Sequence, residues 1–182
     1  MSKTAPNLVW LDLEMTGLDP DNCVILEIAT IITDPHLRIL AEGPALPIRQ
    51  NDEVLERMDK WNQNHHSQSG LINRVKSSPY NLATAEEMTL SFIKGYTEKE
   101  RNPLCGNSIG QDRRFLIKHM PKIEAWVNYR NIDVSSIKEL AARWYPKLPK
   151  FQKKESHRAQ DDIRESIAEL IYYKNKIFVP EL

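Results

Sequence analysis

Disulfide-forming potential is almost missing from this chain. Cys23 and Cys105 are its 2 cysteines, and no C-x-x-C pair occurs. That is too few for a disulfide framework and excludes a clustered-cysteine metal site, so a reducing compartment fits best. Net charge is missing too: 25 basic residues balance 25 acidic ones. A long, strongly basic nucleic-acid groove is therefore not expected, although a local phosphate site remains open. No apolar run approaches the ~18 residues of a membrane span, and no apolar segment precedes Leu8 as a secretory signal would require. These absences point to a cytoplasmic protein with no membrane partner. Internal repeats and low-complexity linkers are also lacking. What is present is a hydrophobic fraction of 41% and a charged fraction of 27% over 182 residues. That suits one globular domain, residues 1–182, with a full core.

The chain is organised around Val9-Trp10-Leu11-Asp12-Leu13-Glu14-Met15-Thr16-Gly17. Its apolar start suits a central buried strand. Asp12 and Glu14 stand at i and i+2, so on a strand they leave the same face. Paired carboxylates at a buried strand end are costly unless a cation neutralises them. Apart from Lys3, no Lys or Arg precedes Arg38. A divalent metal is one candidate for the missing charge, and oxygen ligands favour Mg²⁺ or Mn²⁺ over zinc. The alternative is a strand end running into solvent.

Further strands are expected over Val24–Thr33, Leu37–Ile48, Leu104–Asn107 and Tyr129–Val134. Short links between the first three suggest an antiparallel meander. Helices are expected over Val54–Ser67, from a Thr84-Ala85-Glu86-Glu87 capping box to Gly95, over Gln111–His119, from an Asp133 or Ser135 cap to Tyr145, and over Ser156–Lys174. The result is an α/β domain with a mixed five-stranded sheet flanked by helices. Asp112 falls at the start of a helix, where an acid also has the plain role of favouring the first turn. His157 precedes Asp161 and Asp162. Regular helical spacing would pair His157 with Asp161, and Asp162 would join it only if His157 lies on the loop before the helix.

Taken together, WLDLEMTGLD, GNSIGQDRRFL and HRAQDD resemble the three exonuclease motifs of the DEDDh superfamily. Within it the chain is similar to the oligoribonuclease family, a likeness that extends to MDKWNQNHHSQSGL and YRNIDVSSIKEL. The resemblance implies a ribonuclease-H-like fold and 3′→5′ hydrolysis of short oligoribonucleotides, dinucleotides above all, to nucleoside 5′-monophosphates. It implies that Asp12, Glu14, Asp112 and Asp162 hold two divalent ions and that His157 is the general base. It resolves the helical ambiguity in favour of Asp162 and leaves Asp161 without a role. It further implies that Leu18 wedges between bases, that Trp61 stacks on one, and that His66 faces the substrate. Loop anchor and helix-core residue are the plain alternatives for Leu18 and Trp61. Ser108, Arg130 and Ser135 resemble a cap over the 5′ phosphate, and Ser135 has an N-cap alternative. By the same likeness Tyr129 and Arg130 come from the partner subunit of a homodimer. The Lys147–Lys154 loop is expected either to steer RNA or to be a solvated surface loop.

Overall fold

The computed structural model describes residues 5–152 and 158–179. Its sheet runs β3-β2-β1-β5-β6, with a short β4 also paired to β2. The strands are β1 (Leu8–Met15), β2 (Ile25–Thr33), β3 (Ile39–Glu42), β4 (Leu46–Pro47), β5 (Pro103–Gly106) and β6 (Asn128–Asp133). β1 to β3 form the expected meander, with Leu8 opposite Thr33 and Glu14 opposite Glu27. β5 joins β1 in parallel, and β6 joins β5 in parallel. The sheet is therefore mixed.

β1 alternates as a two-faced strand should. Val9, Leu11 and Leu13 enter a core with Phe115, Leu116 and Ile93, contributed by α5 (Ile109–His119) and α4 (Leu82–Lys94). Leu8 and Trp10 enter the opposite core with Val134, Ile163 and Ile167. Those come from α7 (Val134–Trp144) and α8 (Ala159–Ile177). Trp10 is fully buried and satisfies its indole N–H on Thr33 Oγ1 at 3.0 Å. Asp12 and Glu14 follow Leu8 and Trp10 on the α8 face.

Three boundaries differ from expectation, each for a local reason. The Leu37–Ile48 strand is two strands, interrupted at Gly43. A Cβ there would lie 2.5 Å from Thr30 Oγ1 and 2.8 Å from the Phe92 ring, so only glycine allows this close approach. The Val54–Ser67 helix is instead α1 (Asp52–Glu56) and α2 (Lys60–Gln68), because Asp59 caps a new helix through the Asn62 N–H at 2.8 Å. A third helix, α3 (Leu71–Ser77), follows Gly70, whose φ of 72° is in the left-handed region. α4 is capped by Asn81, not Thr84: the Asn81 side chain accepts the Thr84 N–H at 2.9 Å, which places Thr84 inside the first turn. A short α6 (Pro121–Glu124) completes the set. No helix among the described residues is long and apolar enough to cross a membrane.

Candidate active site

The sheet opens at one point. β5 follows β1 only as far as Trp10 paired with Cys105. Beyond it β5 ends at Gly106, where a Cβ would lie 3.0 Å from the Leu11 carbonyl oxygen. The chain then enters α5, leaving the far edge of β1 unpaired on that side. Asp112, in the first turn of α5, fills the gap and accepts the Leu13 N–H through Oδ1 at 3.0 Å. Crevices at the carboxyl ends of parallel strands are where open α/β sheets bind ligands.

Asp12 and Glu14 project from β1 into this crevice. The first turn of α8 brings Asp162 to them, and one oxygen from each of the three carboxylates lies within 4.8 Å of the others. Asp161 faces elsewhere and pairs with Arg164 at 2.6 Å, which in turn binds Glu42. So α8 brings Asp162 to the strand carboxylates and sends Asp161 into an ion-pair network.

Such crowding makes the groups hold their protons. Burial first, then the charges of Asp112, Glu14, Asp162 and Glu27, pushes Asp12 well above the carboxylate range. Glu14 is raised to about 8, by burial and then by Asp162, Glu27 and Asp112, with Arg74 opposing. Burial raises Asp112 to about 7, although the hydrogen bond from Leu13 favours its ionised form. A dense set of oxygen donors with surplus negative charge fits a hard divalent cation.

A pH dependence follows. These folded-state values exceed those of an unfolded chain, so between about pH 4 and pH 8 the folded protein binds more protons than the unfolded one. Stability from these groups is full below that window and is lost as pH rises through 7 and 8. In chelator, the melting temperature should fall by several degrees between pH 6 and pH 8.5. Saturating Mn²⁺ should restore it, since an ion at 100 times its Kd contributes about 2.7 kcal/mol. Scanning fluorimetry measures both, and a flat melting temperature unaffected by Mn²⁺ would contradict this account of the cluster.

The remaining expected residues are spread over several elements. Leu18 and Trp61 are 71% and 69% exposed, so neither is a core residue. The Trp61 ring stacks on His65 at 4.7 Å. His66 is buried; its Nε2–H donates to the Met15 carbonyl at 2.9 Å, and Nδ1 faces Glu14 Oε2 at 3.7 Å. The Ser135 hydroxyl lies 3.1 Å from both the Ser108 hydroxyl and Asn107 Oδ1. Asp133 is the N-cap of α7, and its Oδ1 accepts the N–H groups of Ser135 at 2.9 Å and Ser108 at 3.0 Å. The Ser135 N–H is thus already occupied, and an anion here would meet the two hydroxyls only as they turn from their present partners. Tyr129 and Arg130 lie on the edge strand β6, both exposed, with the guanidinium 4.9 Å above the Tyr129 ring. His157, Lys153 and Lys154 lie outside the described residues. Lys147 and Lys150 are exposed.

Two features of the site escaped sequence reasoning. Glu27 is 1% exposed on β2, directly opposite Glu14, and is bound by Arg74 of α3. The signal was there: Glu27 is the one charged residue in a strand otherwise built of apolar and threonine side chains. Asn107 is the other. Its amide donates to Ser166 at 2.7 Å and to Glu169 at 3.3 Å, tying the two serines to α8.

A profile of the exonuclease family matches residues 9–170. Exonuclease I structures share the fold. The Escherichia coli enzyme in complex with a 5cy-dT13 oligonucleotide superposes with a TM-score of 0.71 at 14% identity, over 96% of this chain and 42% of its own. The Methylocaldum szegediense enzyme gives 0.69 at 16% identity, over 95% and 41%. The class is thus an exonuclease domain on a mixed sheet. Within it, oligoribonuclease from Aeromonas hydrophila is 56% identical over 179 residues, 98% of this chain and 99% of that one. Oligoribonuclease from Dichelobacter nodosus is 58% identical over 173 residues, 95% and 96% of the two chains. The chain belongs to the oligoribonuclease family of exonucleases.

Proposed function

We propose that this protein is a 3′→5′ exoribonuclease that hydrolyses short oligoribonucleotides, dinucleotides above all, to nucleoside 5′-monophosphates. The observation that carries this reading is the meeting of Asp12, Glu14 and Asp162, flanked by Asp112, in the crevice where β1 parts from β5. These four carboxylates would hold two divalent ions, Mg²⁺ or Mn²⁺. Such ions supply positive charge to the attacking and leaving oxygens of an in-line displacement.

The chain's own groups do the rest. His157, placed by its motif, takes the proton of the attacking water as general base. Trp61, broad and exposed, offers a face for one base, and Leu18 an apolar edge for insertion beside it. His66, with Nδ1 3.7 Å from Glu14 Oε2, faces the substrate beside that carboxylate. Ser108 and Ser135 turn their hydroxyls to the 5′ phosphate, joined by Arg130, whose guanidinium can bind phosphate bidentately. Neutral overall charge suits a ligand with few phosphates.

The same reading makes the protein a cytoplasmic homodimer, with residues 1–182 acting as one exonuclease unit. Exposure of Tyr129 and Arg130 on an edge strand supports their delivery to a partner's pocket. A stable monomer with full dinucleotide activity in sedimentation and rate measurements would sink the dimer. Free cysteines at Cys23 and Cys105 agree with a reducing compartment.

The test is a length series of 5′-labelled RNAs from two nucleotides upward, with Mn²⁺ or with chelator. Dinucleotides should be cleaved fastest, with monophosphates as product and no reaction in chelator. Preference for long single strands, or activity that survives chelation, would overturn the reading. Trp61→Ala should weaken dinucleotide binding by about 1–3 kcal/mol, the scale of a base–aromatic stack. Its melting temperature should barely move, given the exposure of the ring; a large drop would mark Trp61 as a packing residue instead.

A further inference from the structure

His66 is held in one tautomer. A carbonyl oxygen can only accept, so Nε2, 2.9 Å from the Met15 oxygen, must carry the ring proton. Nδ1 is then a bare lone pair. It is buried, it has no hydrogen-bond partner among the described residues, and it faces Glu14 Oε2 across 3.7 Å. Two acceptors facing each other away from solvent repel unless a positive centre lies between them. A histidine that gives one N–H to a backbone carbonyl and leaves the other nitrogen bare has the arrangement of a metal ligand. Nitrogen and oxygen ligands each about 2.1 Å from one tetrahedral ion stand about 3.4 Å apart, close to the observed gap. The neighbouring His65 completes the set, since Glu14, His65 and His66 each bring one ligand atom within 4.8 Å of the others.

We propose that Glu14, His65 and His66 form a second cation site that takes a borderline transition ion such as Zn²⁺ and, through Glu14, switches off the adjacent carboxylate centre. Imidazole ligands select such ions over Mg²⁺, which prefers oxygen. Glu14 belongs to both sets of ligands, so an ion at the histidines draws its carboxylate away from Asp12 and Asp162. His65 also stacks on Trp61, so its capture fixes the face that a base would meet. The inhibitory consequence rests on the exoribonuclease reading; the ion site itself does not.

The experiment is a Zn²⁺ titration of protein with ¹⁵N-labelled histidine rings, in excess Mg²⁺. One equivalent of Zn²⁺ should shift the Nδ1 resonance of His66 and one ring nitrogen of His65, while Nε2 of His66 keeps its proton. His65→Gln should lower Zn²⁺ affinity at least tenfold by calorimetry. Asp12→Asn, which removes a carboxylate of the hydrolytic centre, should retain the ring shifts. Hydrolysis, taken relative to each protein's own zinc-free rate, should fall as Zn²⁺ fills the wild-type site and resist Zn²⁺ in His65→Gln. If Zn²⁺ leaves both rings unmoved, the gap belongs to a proton and the proposal fails. It fails equally if Asp12→Asn abolishes the shifts, because the ion then sits among the carboxylates. An absence of hydrolysis before any zinc is added counts against the exoribonuclease reading and leaves the ring shifts to decide the site.

Discussion

Asp112→Asn should abolish hydrolysis and yet make the metal-free protein more heat-resistant at pH 8. The substitution keeps an oxygen to accept the Leu13 N–H, so the joint between α5 and β1 survives. It removes the neighbouring negative charge that, after burial itself, does most to hold the proton on Asp12. In chelator the folded state should gain, and a rise of a few degrees in melting temperature is expected. With metal present the loss of one ligand should cost at least the 10²–10³-fold that removal of a single preorganised electrostatic group costs. Asp112→Ala separates the two roles. It also deletes the acceptor of a buried N–H, a loss of about 1–3 kcal/mol, so it should be both inactive and less stable. Near-normal turnover in Asp112→Asn would remove that carboxylate from the metal centre.

His157→Ala should bind divalent metal and dinucleotide as the parent protein does, but hydrolyse about 10²–10⁴ times more slowly, the usual contribution of a general base. Calorimetry with Mn²⁺ and single-turnover rates distinguish this from loss of a ligand. If metal affinity collapses as far as in Asp12→Ala, His157 binds the ion and some other group takes the proton.

β1 was legible because its pattern is strong: an apolar run broken at Asp12 and Glu14 only where the crevice begins. The Asp161-Asp162 choice was not legible from helical spacing. It depends on the rotation of α8 over the sheet, which is set by Ile163 and Ile167 packing on the opposite end of the same face. Helix starts are ambiguous in the sequence where two caps compete. Asn81 and Thr84 both suit an N-cap, and the structure uses the asparagine because its side chain reaches the Thr84 N–H. Asp59 lies within one continuous helical pattern, yet by accepting the N–H three residues on it begins a new helix. Glu27 was hidden by its surroundings. A strand of nine buried positions reads as apolar, and only the register with Glu14 reveals that its carboxylate belongs to the site. Local motifs carry the clustered carboxylates, whereas cross-strand partners such as Glu27 and Arg74 exist only once the sheet is assembled.

The joining of β1 to α8 has a consequence for biosynthesis. Asp12 lies on β1 and Asp162 in the first turn of α8, the last helix described, so the carboxylate cluster is a contact of very high sequence separation. Such contacts form late, after the loop between them has been closed. A ribosome translating this sequence therefore displays the β1 meander long before it displays a nuclease. The carboxylate cluster closes only when α8 has emerged and docked on the sheet.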